Sequence, residues 1–566
     1  MPNQIRQHYI ALILALLLGA LMVLPFFYFQ IKLGNNFKGI LPAIVDDENF
    51  YYARIKDVVD GHPFLSNAYL FEHKNELPQQ VFLAEWLLAQ PLKLFGISIG
   101  TGHLIYNFLL SAIAFLLAYA AFYLILRRKF WSLIFSVFLF FGLYPLAFIR
   151  PVSPQFNFIF WFTQFIFTYL LIENQNSRRF LILNMINLGL LFYIYPYYWS
   201  FYLIFFGIFI LFNFINSKYF HNCNYESKEI IKTVIGGLVL AIPYFYLNYL
   251  ASRLPYYIET LTRLGMIYSR FPSGFRIIFW SALGLIAFGG FLWRKIIKWD
   301  VKTIFFVSGI SASIIAVNQH FITGRNLEFS SHYNMAAIFF VVLAAAYLFS
   351  TVKNQKFSIA IAIIIAVVVI NGLYDYSKIV FAIDENVVYR QNYAPIFDWL
   401  NKNTEKDSVV YANTDLSRLI PVYTANNVFY VREANLFFIS DSEVLDRFII
   451  NNFFSAFSRD FITKNVRSIY GVRYIDAYGH AVQGNKLRKI LGLKLEPEIY
   501  LPKTAIQKVV GRASQLQNSD WIKELKKYQI DYLIWDKNKN PDWKINLKNF
   551  KSVFQSNNLI IFKFVL

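Results

Sequence analysis

The chain has 566 residues, of which 57% are hydrophobic and 19% aromatic, and its apolar residues fall in runs of about twenty, the length that crosses ~30 Å of hydrocarbon as a helix. A soluble globular domain is excluded, and the single cysteine, Cys223, excludes an intramolecular disulfide framework and a cysteine-built zinc site. The formal charge of +20 is what topology-fixing lysines and arginines produce in a membrane protein, and no nucleic-acid partner is expected.

Eleven spans are predicted, near 9–29, 103–126, 131–149, 156–172, 180–195, 198–215, 230–250, 276–293, 303–318, 334–350 and 358–380. With the N-terminus inside, fifteen lysines and arginines fall at cytoplasmic ends, against six, among them Arg150 and Arg325, in the short outer loops. That bias sets the orientation. Segment 9–29 is long for the apolar core of a signal peptide, and no small-residue cleavage site precedes the acidic stretch after it, so it is read as a span. An odd number of spans sends the loop at 30–102, and everything after about residue 384, to the outer face of the cytoplasmic (inner) membrane.

The first outer loop contains "VDDENFYYARIKDVVDGHPFLSNAYLFEHKNELP" (45–78), which gathers Asp46, Asp47 and Glu48 and, later, Glu72, His73 and Lys74. Acids in the first turn favour the positive end of a helix; Tyr51, Tyr52, Ile55, Val58 and Val59 supply its apolar positions, and Gly61 and Pro63 stop it. The helix is expected along the membrane surface. Solvated loop acids are the plain reading of such a triplet. Crowded carboxylates raise one another's pKa, however, and the aromatic neighbours and the cation in the same loop argue for a site.

Further along, "YIYPYYW" (193–199) reads as an aromatic-belt turn between spans. "NQHFITGRNLEFSSHYN" (318–334) gathers His320, Arg325, Glu328 and His332 on the outer side, either as a lining of a donor pocket or as a polar interfacial loop. The spacing of His320 and His332 matches no metal-site signature. After Asp384 the apolar runs shrink to strand length. "DSVVYAN" (407–413), "NNVFYV" (426–431), "DYLIWD" (531–536) and "NLIIFKF" (558–564) are strand-like, and "APIFDWLNKN" (394–403) and "SDWIKELKKY" (519–528) have helical spacing. This predicts a separate α/β domain over 385–566. Its 26 lysines and arginines against 18 acids suit a surface near membrane lipids as well as an ordinary solvated one.

The succession of Asp47-Glu48, "NFYYARIKDVVDG", "LFEHKNELP" and "KLFGIS" leading into the second span resembles the first outer loop of the GT-C superfamily of membrane glycosyltransferases. It is most similar to the branch of protein O-mannosyltransferases and lipid A aminoarabinose transferases. There an Asp-Glu pair precedes an aromatic-rich amphipathic helix, a glycine-containing turn, and an acid and lysine before a proline. The resemblance covers residues 40–100 in detail. Elsewhere it is one of architecture, a GT-C-like polytopic α-helical protein with an extracytoplasmic α/β domain.

What the resemblance implies is transfer of a sugar from a polyprenyl-phosphate carrier to a glycan, lipid or protein acceptor on the outer face. An acceptor hydroxyl is a poor nucleophile at neutral pH, so an inverting transfer wants a carboxylate placed to take its proton. Asp47 is the choice, with Glu48 as its support and Asp46 as its rival. The lipid phosphate leaves with developing charge and wants a cation or a divalent metal close by. Lys74 is the best match, in a cluster with Glu72 and His73, and Arg54, Arg150, Arg325 and His332 are its helpers. "RPVSPQFN" (150–157), where relatives place a second acid, has none, so a second carboxylate, a metal or Arg150 itself must complete the site.

Two other classes compete with the enzyme. A transporter or flippase of lipid-linked sugars would mark its path with intramembrane charges and interrupted helices in matching halves, and the predicted spans hold almost no acids and no such pair. A non-catalytic envelope-assembly scaffold would use the acidic loop as an interface.

Overall fold

The computed structural model describes residues 8–79, 81–145, 147–219, 227–326 and 331–565. Each predicted span falls on a helix: Tyr9–Leu33, Ile99–Leu126, Lys129–Leu143, Pro151–Glu173, Arg178–Ile194, Pro196–Tyr219, the pair Lys228–Leu240 and Ile242–Ala251, Phe275–Trp293, Val301–Val317, Ser331–Thr351 and Gln355–Val380. Among the described residues, seven helices are long and apolar enough to cross a membrane, and the pair bent by 49° makes an eighth. Three of the eleven expected spans fall on shorter helices: Lys129–Leu143, Val301–Val317 and the 17-residue Arg178–Ile194. The chain is a multi-pass α-helical membrane protein.

Its helices meet through small residues, aromatic rings and paired amides. Gly19 lets Tyr9–Leu33 lie against Ile99–Leu126, since a β-carbon there would stand 2.6 Å from the Phe108 carbonyl oxygen. Phe158, Trp161, Phe165, Phe205, Phe305 and Phe340 interlock in the centre, all of them buried. Several polar groups inside this apolar body pair between helices. Asn187 donates to Gln164 at 2.8 Å, Thr163 donates to Asn187 at 2.9 Å, and Thr168 donates to Asn184 at 2.9 Å.

Outside the bundle, the acidic stretch forms the helix Glu48–Val59, and Gly61 at φ +105° ends it as expected. The helix is not left on an open surface. Phe50, Tyr52, Ala53, Ile55 and Val58 are buried, with Leu83–Phe95 packed on one side and Thr414–Tyr423 on the other.

Beyond residue 384 stands a five-stranded sheet built from β3 (Val409–Tyr411), β4 (Asn427–Val428), β5 (Tyr532–Asp536), β6 (Phe550–Ser556) and β7 (Leu559–Phe564), after a two-residue ladder of β1 (Ile267–Tyr268) and β2 (Arg325–Asn326) between outer loops. The order is β4-β3-β5-β7-β6, with β3 parallel to β4 and β5, and β7 antiparallel to β5 and β6. Four of these strands and the helix Ala394–Asn403 lie where the sequence placed them. β6 was missed, because as an edge strand it buries only Phe550 fully and gives no clear alternation. One face of the sheet shares its core with the first outer loop: Ile40, Phe50, Ile55, Val58 and Tyr69 pack in one cluster with Val410, Ile420, Val428 and Ile534. The Val428 N–H donates to the Tyr69 carbonyl at 2.9 Å, so loop and sheet are joined through backbone as well.

Candidate active site

Residues 46, 47 and 48 enter the helix from an irregular turn, and successive residues on a helix point about 100° apart, so the three acids face three environments. Asp47 sits at the helix entry with φ −86° and ψ −2°, and its side chain makes no capping bond. Its carboxylate turns outward, 60% exposed, and accepts from Arg150 Nη1 at 2.8 Å. The guanidinium also lies over the Tyr51 ring, 5.9 Å from its centroid, while its Nε is buried without a partner among the described residues. The segment "RPVSPQFN" thus contributes Arg150 itself to the acidic site.

Asp46 faces the other way, toward the region after the last span. Arg418 and Arg432 donate to it at 2.9 and 2.8 Å, and both also reach Glu433, at 2.7 and 3.1 Å. Burial alone would raise the Asp46 carboxyl, but hydrogen bonds from the two guanidinium groups outweigh it and hold the group down at about 2. Glu48 turns inward and is 1% exposed. One oxygen accepts the Ile44 N–H at 2.8 Å and the other has no partner among the described residues. Burial lifts its carboxyl to about 8. Glu48 therefore ties the loop to the helix, and it does not share Asp47's outward face.

The "FEHK" cluster is not part of this site. Lys74 pairs with Asp57 in a contact where the side chains are 7% and 4% exposed, and Asp57 lies nine residues along the helix from Glu48, about 14 Å by helical rise. His62 bridges Asp57 at 3.0 Å and Asp407 at 3.2 Å at the same end. Glu72 binds Arg447 at 3.0 Å, and His73 lies between Glu76 at 2.9 Å and Glu443 at 3.1 Å. Burial pushes the His73 imidazole down, but the two carboxylates outweigh it and raise the group to about 9. These residues fasten the loop to the region after residue 384. The reason the sequence misled is one of length: a twelve-residue helix separates charges that look close in a short loop.

Arg54 is fully buried, donating to Glu85 at 2.7 Å and to the Val81 carbonyl at 2.8 Å, and it presents no face to a ligand. Arg325 lies on β2 opposite Tyr268, over whose ring its guanidinium sits at 5.9 Å. His332 is bound by the aromatic turn: Tyr195 Oη lies 2.5 Å from its Nδ1, and the Tyr197 ring stacks on it at 4.5 Å. His320 instead faces the Phe271 carbonyl at 2.7 Å, so the two histidines have separate partners, and Glu328 lies outside the described residues. Among the described residues no group of three His, Cys, Asp or Glu side chains comes together to hold an ion.

Sequence reasoning missed Arg418 and Arg432. They lie 372 and 386 residues from Asp46, and nothing local in the sequence marks them as its partners.

No known family profile matches this sequence, and no curated protein matches it. Solved structures are similar in architecture. One is the oligosaccharyltransferase of Archaeoglobus fulgidus in complex with an inhibitory peptide and a dolichol-phosphate, at a TM-score of 0.46 and 11% identity over 94% of this chain and 69% of that one. Another is ArnT from Cupriavidus metallidurans bound to undecaprenyl phosphate, at a TM-score of 0.46 and 10% identity over 99% of this chain and 98% of that one. No residue's role passes from them to this chain.

Proposed function

We propose that this chain is a membrane glycosyltransferase that moves a sugar from a polyprenyl-phosphate-linked donor to an acceptor hydroxyl at the outer face, with Asp47 as general base. The observation that carries the reading is the Asp47–Arg150 pair: an exposed carboxylate and a guanidinium, 2.8 Å apart, at the mouth of the first outer loop. The carrier class rests on the resemblance of residues 40–100 to the GT-C first loop, and the outer location on the excess of lysine and arginine at the other ends of the spans.

In the reaction, the acceptor oxygen attacks the anomeric carbon as its proton passes to the Asp47 carboxylate. The bond from that carbon to the phosphate oxygen breaks, and the phosphate leaves with the electron pair. Arg150 takes the part first given to Lys74. Its Nη1 holds Asp47, and its positive charge beside that carboxylate is what a leaving phosphate meets. Asp46 fixes the acidic turn to Arg418 and Arg432, and Glu48 fixes it to Ile44.

The test is a comparison of envelope glycans and lipids by mass spectrometry with and without the gene. A glycosylated species that disappears with the gene and returns with the wild-type chain, while its unglycosylated precursor accumulates in between, supports the reading. Unchanged profiles would contradict it.

A further inference from the structure

The helix Arg473–Ile490 lies against β1, and the chain after it doubles back at Gly492, where φ is +66°. The Leu493 N–H donates to the Arg488 carbonyl at 2.8 Å, which closes the turn. The two acids of the returning segment are held against the helix. Glu496 pairs with Arg488, and Asn485 donates to a Glu498 carboxylate oxygen and to the Glu496 carbonyl, each at 2.9 Å.

What remains outward is apolar side chains and cations. Ile490 is 80% exposed, and Leu491, Leu493, Leu495 and Ile499 are between 47% and 57% exposed. Lys486, Lys489 and Lys494 stand among them, also exposed. Large apolar side chains gathered in this way mark a contact surface, because leaving them in water forgoes the free energy of burial.

The neighbours of the segment identify what it contacts. The Arg488 guanidinium lies over the Phe271 ring, 4.2 Å from its centroid. Phe271 is four residues, at most ~14 Å of chain, before the helix Phe275–Trp293, which is long and apolar enough to cross a membrane. In the first turns of that helix Phe279 and Trp280 are 61% and 46% exposed, aromatic side chains of the kind that sit at headgroup level. The turn after Val301–Val317 reaches the same place: His320 Nε2 lies 2.7 Å from the Phe271 carbonyl, and beside it Phe321 and Ile322 are exposed as well. Residues 486–500 thus stand at the level where two apolar helices of the bundle end. Leucines that suit the acyl boundary, with lysines that suit anionic headgroups, are the composition of a segment lying in a membrane interface.

We propose that residues 486–500 lie in the membrane–water interface, with the side chains of Ile490, Leu491, Leu493, Leu495 and Ile499 in the acyl boundary and Lys486, Lys489 and Lys494 against anionic phospholipid headgroups. The region after residue 384 is then held to the bilayer at a second place besides the end of Gln355–Val380. The experiment uses the full chain in phospholipid nanodiscs, with Cys223→Ser as the background and a single NBD-labelled cysteine from Leu493→Cys or, in parallel, Ile499→Cys; both positions are exposed, so neither change disturbs a core. In nanodiscs containing phosphatidylglycerol the label should be quenched by phospholipids brominated on the acyl chain and protected from iodide. Quenching by iodide without quenching by the brominated lipid would put the segment in water, and protection from both would put it against protein; either result overturns the proposal. Reversing two cations together, Lys489→Glu and Lys494→Glu, should lose more of the lipid quenching in phosphatidylglycerol than in phosphatidylcholine nanodiscs. An equal response in the two bilayers would overturn the headgroup contact.

Discussion

Asp47 and Arg150 are 103 residues apart in sequence, and their side chains meet at 2.8 Å in front of the helix Glu48–Val59. The pair joins the first outer loop to the turn that precedes Pro151–Glu173, so carboxylate and cation come from different segments of the chain.

Arg150→Ala should lower turnover by about 10²–10³, the effect of deleting one donor aimed at developing charge. Arg150→Lys should recover part of this, since an ammonium keeps the charge but loses the planar guanidinium geometry. The measurement is kcat and donor KM on purified variants. Equal turnover by wild type and Arg150→Ala would remove the arginine from the leaving-group side.

Glu48 makes stability depend on pH in an unusual direction. Its carboxyl stands at about 8 in the folded chain against an ordinary 4.5, because burial disfavours the charge. Between these values the folded state holds a proton that the unfolded state has lost, so this group's contribution weakens as pH rises through that window and is constant above it. Glu48→Gln cannot ionise, and its thermal stability should gain on the wild type progressively from about pH 5 to about pH 8. A stability difference that does not change with pH would show that Glu48 carries no such proton.

His73, on the same loop, shifts stability in the same direction but over a higher pH window. Glu443 and Glu76 raise it from 6.5 to about 9, so the stabilisation is complete below the ordinary value and is lost as pH rises through the folded one. His73→Gln should therefore destabilise strongly near pH 6 and little near about pH 10. Thermal unfolding at the two pH values decides it, and an equal loss at both would mean that packing rather than charge makes the contact. Turnover per folded molecule should be unaffected, because this cluster lies at the far end of the helix from Asp47.

Periodicity and charge bias made the membrane segments legible, and the apolar runs of "VVY" and "YLIWD" marked strands that do form. Arg178–Ile194 and Val301–Val317, predicted as spans, are helices of 17 residues, at the short end of what crosses the hydrocarbon. In the site, the sequence marked Asp47 as the residue to watch, because the acidic triplet stands at a helix entry. It misplaced Lys74, whose closeness to Asp47 along the chain is undone by the helix between them. It had no means of finding Arg418 and Arg432, whose role comes from a pairing across more than half the chain. The separate domain predicted at 385–566 is better described as a sheet that shares one face with residues 40–95, because Phe50 and Tyr69 sit in the same core as Val428 and Ile534.

Asp47 is expected to accept the acceptor's proton, and the most direct measurement is sugar transfer from a polyprenyl-phosphate-sugar donor by purified wild type and Asp47→Asn. The amide preserves volume and removes the base, so turnover should fall by about 10²–10⁴ with donor binding retained. Glu48→Gln and Asp46→Asn, which alter the groups that position the turn, should be impaired less. Wild-type turnover by Asp47→Asn would contradict the assignment, and wild-type turnover by all three would contradict the reading of this loop as an active site.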